Sequence, residues 1–413
     1  MNQNTNPLHS KDFSQNPHGI LHLPPPPEPW KITEWYGSTI AGVPFLLRNI
    51  LTLQRSGLHD IIIYLDAPDI KTLAHSIGED SRILAKIHWV SRPDQLKETL
   101  KNQRSRVLLF NGSTLHDKKE VRSLLQTFVQ EETKTPEVSP LSNEQLDSLI
   151  EKIQLNDEKK LEESFENAHS FTYIPGSAKN RIQGQKDFSA LHEQLLKGSG
   201  QNHDSTITRL LSRPVSRKLT RFFLDTPISP NQITLLSFAM GLASALCFAQ
   251  GTYQMNVFGG LLLLFSTWVD GTDGEIARLK FMESELGGKL DILCDNIVHF
   301  FVFGAIGWGV SEATGDKTYM YLGGLAAIAS LTAFILLGAS IVKKSSQTST
   351  PPTEAQPSLA DKLANRDFVN FLMLMTLIDL MHVFIFIAAI GSTFFAVYLT
   401  YLRVMELRSL KNP

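Results

Sequence analysis

The sequence predicts an N-terminal α/β domain built on a parallel sheet, followed by an all-α polytopic membrane domain with six transmembrane helices. Three observations carry that prediction. Residues 31–200 alternate short continuous apolar runs with stretches of helical periodicity. Residues 230–405 are dominated by apolar runs of bilayer length. Between two of those runs lie four aspartates, Asp270, Asp273, Asp291 and Asp295, and carboxylates at such depth mark a functional site by default.

At 413 residues the chain exceeds one typical domain. Its net charge of −2 argues against a nucleic-acid partner. A mean hydropathy of −0.05 averages two unlike halves, polar up to residue 225 and apolar beyond 230. The two cysteines, Cys247 and Cys294, fall in apolar runs, so small buried hydrophobes are expected and no disulfide framework. Residues 1–20 lack a basic-then-apolar pattern, so no cleavable leader is expected and the polar half should stay cytoplasmic.

Residues 1–30, rich in Asn, His and Pro with four consecutive prolines at Pro24–Pro27, read as a disordered or extended lead-in. In residues 42–56, Val43, Leu46, Leu47, Ile50, Leu51 and Leu53 recur at helical spacing. The runs 61–65, 86–90 and 106–110 read as buried parallel strands, with a helix over 93–102 between the last two. Residues 131–166 form an acidic, then helical insertion, 171–174 can return a strand, and 179–200 are a polar linker. His59, His88 and His116 lack metal-ligand spacing and read as surface or core histidines.

Over 205–227, Arg209, Arg213, Arg217, Lys218 and Arg221 interleave with Leu210, Leu211, Val215, Leu219, Phe222 and Phe223. A basic amphipathic helix in the membrane interface is expected there, doubling as the positive flank of the first span. Spans are placed at 233–250, 255–269, 292–310, 319–342, 368–388 and 390–405. The loop 311–318 is short and net acidic, whereas Arg278/Lys280/Lys289, Lys343/Lys344, Lys362/Arg366 and Arg403/Arg408/Lys411 are basic. This alternation puts both termini and the aspartates on the cytoplasmic side.

Asp270 and Asp273 lie one helical turn apart, as do Asp291 and Asp295, and a hairpin around 278–287 would bring the two pairs together. Four converging carboxylates must take up protons or bind cations, and all-oxygen ligands suit Mg²⁺, Mn²⁺ or Ca²⁺ better than zinc. The stretch Asp270-Gly-Thr-Asp273-Gly274-Glu-Ile-Ala277-Arg278, with Gly287, Asp291 and Asp295, resembles the CDP-alcohol phosphatidyltransferase signature at every fixed position. The resemblance covers about the last half of the chain, from residue 205 onward.

That resemblance implies displacement of CMP from a CDP-alcohol by the hydroxyl of a second alcohol, with two Mg²⁺ or Mn²⁺ ions. Asp270 and Asp291 would bridge the ions, Asp273 would complete one and Asp295 the other, with Asp295 also the general base. Gly274, Arg278, Ser284, Asn231, Thr234 and Arg217 would contact substrate, while Ala277 and Gly287 serve helix packing. It further implies a homodimer, a membrane setting, a CDP-diacylglycerol donor and a polyol or polyol phosphate acceptor. A CDP-polyol donor such as CDP-inositol is the alternative, and Arg217, Lys280, Lys289 and Arg366 would suit a phosphorylated acceptor.

The N-terminal half resembles the sugar-phosphate nucleotidyltransferase domain of two-domain inositol-phosphate cytidylyltransferase/phosphotransferase proteins, at Gly42-Val-Pro-Phe-Leu, Gly57-Leu-His-Asp-Ile-Ile-Ile and Leu108-Leu-Phe-Asn-Gly. It departs from them in having no Gly-rich basic loop around 31–40, and Asn111 where an acid is expected. An inactive domain is expected. Two other classes stay open, a non-catalytic membrane anchor for that domain and a cation transporter. Buried aspartates argue against the first, and the lack of half-repeats against the second. Asp379 and His382 are expected inside the fifth span, at a dimer face or a cavity.

Overall fold

The computed structural model describes residues 18–101, 107–132, 142–154, 171–199, 212–345 and 367–411. The chain divides into two compact units, Met1–Leu195 and Leu196–Pro413.

In the first unit the elements run β1 (His18–His22), α1 (Ile32–Gly37), β2 (Thr39–Ile40), β3 (Val43–Pro44), α2 (Phe45–Ser56), β4 (Asp60–Tyr64), α3 (Ile70–Ile77) and β5 (Lys86–Val90). They continue with α4 (Pro93–Leu100), β6 (Val107–Asn111), α5 (Lys118–Glu132), α6 (Asn143–Gln154), β7 (Phe171–Ile174) and α7 (Gln185–Gly198). Five strands form one sheet in the order β5-β4-β1-β6-β7, every neighbouring pair parallel. Apolar runs such as Ile61-Ile-Ile are buried on both faces, which is why they read as continuous rather than alternating. Ile20, Ile62, Leu109 and Val107 pack with Leu146, Leu149 and Ile153 of α6 into one core.

One boundary moves. The stretch read as a lead-in contains β1, which lies at the centre of the sheet between β4 and β6. The loop after the first strand is therefore 23–31 rather than 31–40. Gly112, just past β6, closes on this point: its N–H donates to His22 O at 2.7 Å, and a Cβ there would lie 2.4 Å from that oxygen. His22 and His116 are both buried, and desolvation holds each imidazole down to about 4. In its described parts the acidic insertion 131–166 holds the last two residues of α5 and the helix α6.

The second unit holds α8 (Arg213–Leu224), α9 (Pro230–Phe248), α10 (Tyr253–Leu279), α11 (Glu285–Thr314), α12 (Thr318–Ser345), α13 (Asp367–Leu377) and α14 (Met381–Lys411). Four helices are long and apolar enough to cross a membrane among the described residues: α9, α11, α12 over Thr318–Leu336, and α14 over Met381–Met405. The six-span division is not reproduced. The second expected span lies inside α10, whose 27 residues include Asp270, Asp273 and Glu275. The expected boundary between the fifth and sixth spans is residue 389, yet α14 runs through Ala389 without interruption. The break falls instead at 378–380, where Asp379 adopts φ 58°. Asp379 and His382 are thus exposed at a turn, not placed mid-span. At that end the Tyr253 hydroxyl donates to Leu377 O at 3.2 Å, joining the start of α10 to the end of α13.

The core of this unit gathers Phe248, Leu263, Val302, Ile306, Leu372 and Ile385 from five helices. α9 and α11 approach closely because Gly241 has no side chain; a Cβ there would lie 2.6 Å from Val298 Cγ2.

Candidate active site

A tight reversal connects α10 to α11. Lys280 N–H and Met282 N–H donate back to Ile276 O and Ala277 O, each at 2.8 Å, while Phe281 takes the left-handed conformation at φ 57°. This ends the helix as a C-terminal cap does, with a bulky residue where glycine is usual. α11 then starts from Ser284, whose side chain accepts from Gly287 N–H at 3.0 Å.

The hairpin brings three of the four aspartates together. Carboxylate oxygens of Asp270, Asp291 and Asp295 all lie within 4.8 Å of one another, with Asp270 buried and the others half-buried. Asp270 also accepts from the Ser237 hydroxyl at 3.4 Å. Ser237 is itself held from Ser266, which donates to Ser237 O at 2.7 Å. Asp273 is the exception. Its two oxygens accept from the Thr234 hydroxyl and from Gly274 N–H, which turns the carboxylate toward α9. Three like charges so close in partly desolvated surroundings require protons or a counter-charge. With an all-oxygen donor set, the residues present fit a hard divalent cation.

The other expected contacts are scattered. Thr234 is buried beside Asp273, and its Oγ1 lies 3.2 Å from Pro230 O. Asn231 is exposed at the start of α9, and a Cβ on Gly287 would lie 2.9 Å from its Oδ1. Gly287 therefore serves close packing of α9 on α11, as the sequence suggests. Ser284 is a helix cap in this structure. Arg278 directs Nε and Nη2 to Ser199 O at 3.3 and 3.0 Å, and Gly274 lies beneath its guanidinium, 3.2 Å from Nη1 to a Cβ built there. Arg217 is exposed on α8, whose buried face is Ser216, Thr220, Phe223 and Leu224. Lys280 donates to Thr226 O at 3.0 Å, Lys289 pairs with Glu285 at 2.6 Å, and Arg366 and Arg209 lie outside the described residues.

Sequence reasoning missed what surrounds the triad. A small cavity beside Asp270 and Asp295 is lined by Ser237, Phe238, Ser266, Thr267, Cys294 and His299. His299 follows Asp291 and Asp295 at successive four-residue steps, so its spacing on α11 could have flagged it. Glu275 was also missed. It is fully buried and bonded by Arg213 and by Thr220, the latter at 2.7 Å.

Residues 227–394 match the model of the CDP-alcohol phosphatidyltransferase family. A bifunctional IPC transferase and DIPP synthase of Archaeoglobus fulgidus is 34% identical over 139 residues, which are 33% of this chain and 27% of that protein. Its counterpart in Aquifex aeolicus is 36% identical over 111 residues, 27% of this chain and 24% of that protein. The chain thus matches about a quarter of the length of these curated relatives. A solved Mycobacterium tuberculosis phosphatidylinositol phosphate synthase with CDP-DAG bound aligns with 46% of this chain and 92% of its own, at 20% identity and TM-score 0.34. The matched segment, residues 227–394, holds the aspartate motif and the helices that present it, and is similar to that family.

Proposed function

We propose that the chain is an integral-membrane phosphotransferase of phospholipid biosynthesis, displacing CMP from a CDP-activated alcohol by the hydroxyl of a second alcohol. The observation that carries this reading is the convergence of Asp270, Asp291 and Asp295 within 4.8 Å in the segment that matches the family. CDP-diacylglycerol is the proposed donor and a polyol or polyol phosphate the acceptor.

Asp270, Asp273, Asp291 and Asp295 would hold two Mg²⁺ or Mn²⁺ ions. When bound, the ions would neutralise the diphosphate and stabilise the CMP leaving group. Asp295 accepts the acceptor hydroxyl proton on its carboxylate. Phe238, Val298 and Val369 line the space behind it and limit water there. Thr234 orients Asp273 by its hydrogen bond. Gly274 leaves its backbone open to the nucleotide, and Arg278 exchanges the Ser199 carbonyl for a forked contact to the diphosphate. Ser284, Asn231 and Arg217 complete the substrate contacts.

Six spans with both termini and the aspartates cytoplasmic are proposed from the charge alternation, with α10 and the α13 segment added to the four apolar helices. The working form is proposed to be a homodimer. The N-terminal unit is proposed to have lost nucleotidyl transfer. Five of the nine residues after β1, in Leu23-Pro-Pro-Pro-Pro-Glu-Pro-Trp-Lys31, are prolines and lack an N–H, so this loop cannot cradle phosphates through its amides. Asn111 at the end of β6 is engaged by Ser113, whose N–H and hydroxyl donate to Oδ1 at 2.9 and 2.7 Å.

A second reading, a CDP-polyol such as CDP-inositol as donor with a polyol phosphate acceptor, follows from the resemblance to two-domain inositol-phosphate cytidylyltransferase/phosphotransferase proteins. Release of CMP from CDP-diacylglycerol and from CDP-inositol, across a panel of polyols and their phosphates with Mg²⁺, separates the two. CMP from CDP-diacylglycerol supports the first reading and CMP from CDP-inositol alone the second. Silence from every donor contradicts both and favours the membrane-anchor alternative.

A further inference from the structure

Glu275 carries a fully buried carboxylate five residues after Asp270 and two after Asp273. Such a charge persists only when paired and hydrogen-bonded. Both of its oxygens are taken by α8: Oε1 accepts from Arg213 Nη1 and Oε2 from the Thr220 hydroxyl at 2.7 Å. Arg213 and Thr220 stand two helical turns apart on one face of α8, with buried Ser216 between them. Two more ties follow along the chain. Lys280 Nζ donates to Thr226 O at 3.0 Å, and the Thr234 hydroxyl donates to Asp273. The segment 213–234 is therefore fastened at three places to residues 273–280.

We infer that Glu275, Arg213 and Thr220 are positioning residues for the transferase site: they fix α8 against α10 and, through the 225–229 connection, hold Thr234 where it orients the Asp273 carboxylate. The inference rests on the proposed function and adds residues outside its signature. A mere fold anchor would set stability alone. A positioning clamp also sets how well Asp273 serves the cation and the donor.

The test uses full-length protein in detergent as wild type, Thr220→Val and Glu275→Gln. Mn²⁺ binding is read by electron paramagnetic resonance, donor KM and kcat by CMP release, and folding by thermal melting. Thr220→Val is near-isosteric and removes one hydrogen bond. The clamp predicts that it raises the Mn²⁺ half-saturation and the donor KM about threefold to tenfold, the scale of one ordinary hydrogen bond, with kcat within about twofold. Glu275→Gln moves both in the same direction and further. Unchanged Mn²⁺ binding and donor KM in the folded variants, whatever happens to melting, overturn the clamp. If Glu275→Gln does not fold, Thr220→Val decides alone. Wild-type protein that binds no Mn²⁺ contradicts the proposed function itself and the clamp with it, whereas insensitive variants contradict only the clamp.

Discussion

The Thr234 hydroxyl donates to the Asp273 carboxylate, tying the first turn of α9 to the aspartate motif on α10. This bond turns the Asp273 carboxylate toward α9, apart from the triad formed by Asp270, Asp291 and Asp295. Thr234→Val removes the hydroxyl at nearly constant volume. CMP release should fall about tenfold, the scale of one hydrogen bond to a charged group, with folding retained. Wild-type kinetics in that variant would show that Asp273 needs no orientation from α9.

Carboxylate oxygens of Asp270, Asp291 and Asp295 lie within 4.8 Å of one another. Asp270→Asn removes one of those charges and with it part of their repulsion. Melting in excess chelator should therefore rise by a few degrees, while the stabilisation that Mg²⁺ gives the wild type should disappear. A lower melting temperature in chelator would mean that the aspartates are structurally paired rather than kept for a cation.

Gly241→Leu forces a side chain into the space held by Val298, where even a Cβ would lie 2.6 Å from Cγ2. Overpacking of this kind costs about 1–3 kcal/mol. Melting in detergent should drop, and CMP release should fall with it because α9 carries Thr234 and Ser237 to the site. An unperturbed variant would show that α9 and α11 separate more easily than their packing implies.

In the N-terminal unit, His22 and His116 are held near 4 by burial, against an ordinary value of 6.5. Both are neutral in the folded state, and the unfolded chain binds their protons first. Stability is therefore full above pH 6.5 and declines as pH falls toward about 4. Hydrogen exchange of the full chain should show protection of β1 and β6 amides decreasing across that window. His22→Gln/His116→Gln protein should show a smaller decrease, and an equal decrease would place the acid sensitivity elsewhere.

Much of this arrangement is legible in the sequence. The β4 and β6 strands announce themselves as apolar runs because both their faces are buried. β5 does so although it is only partly buried at the sheet edge, and α2 shows apolar residues at helical spacing although nearly all of it is buried. β1 is obscured because its five residues, His18-Gly-Ile-Leu-His22, include two histidines and run into a proline tract. The break at 378–380 is hidden inside a long apolar stretch, where a turn at a membrane surface needs few polar residues. For the aspartates, spacing gave the face but not the angle. A step of three residues in a helix turns the side chain about 60° from its neighbour, while a step of four turns it about 40° the other way. That difference lets Asp273 reach Thr234 while Asp291 and Asp295 stay with Asp270. Glu275 has no spacing signal of its own, since its partners come from a different helix.

The most direct test of the central claim is CMP release by chelator-stripped, full-length protein supplied with CDP-diacylglycerol, CDP-inositol and a polyol phosphate panel, titrated with Mg²⁺. Metal-assisted transfer predicts no CMP without metal, recovery with Mg²⁺ or Mn²⁺, and loss of at least about a thousandfold in Asp291→Asn and Asp295→Asn, as befits removal of a ligand or base. CMP release that survives chelation, or that persists in both variants, would contradict it.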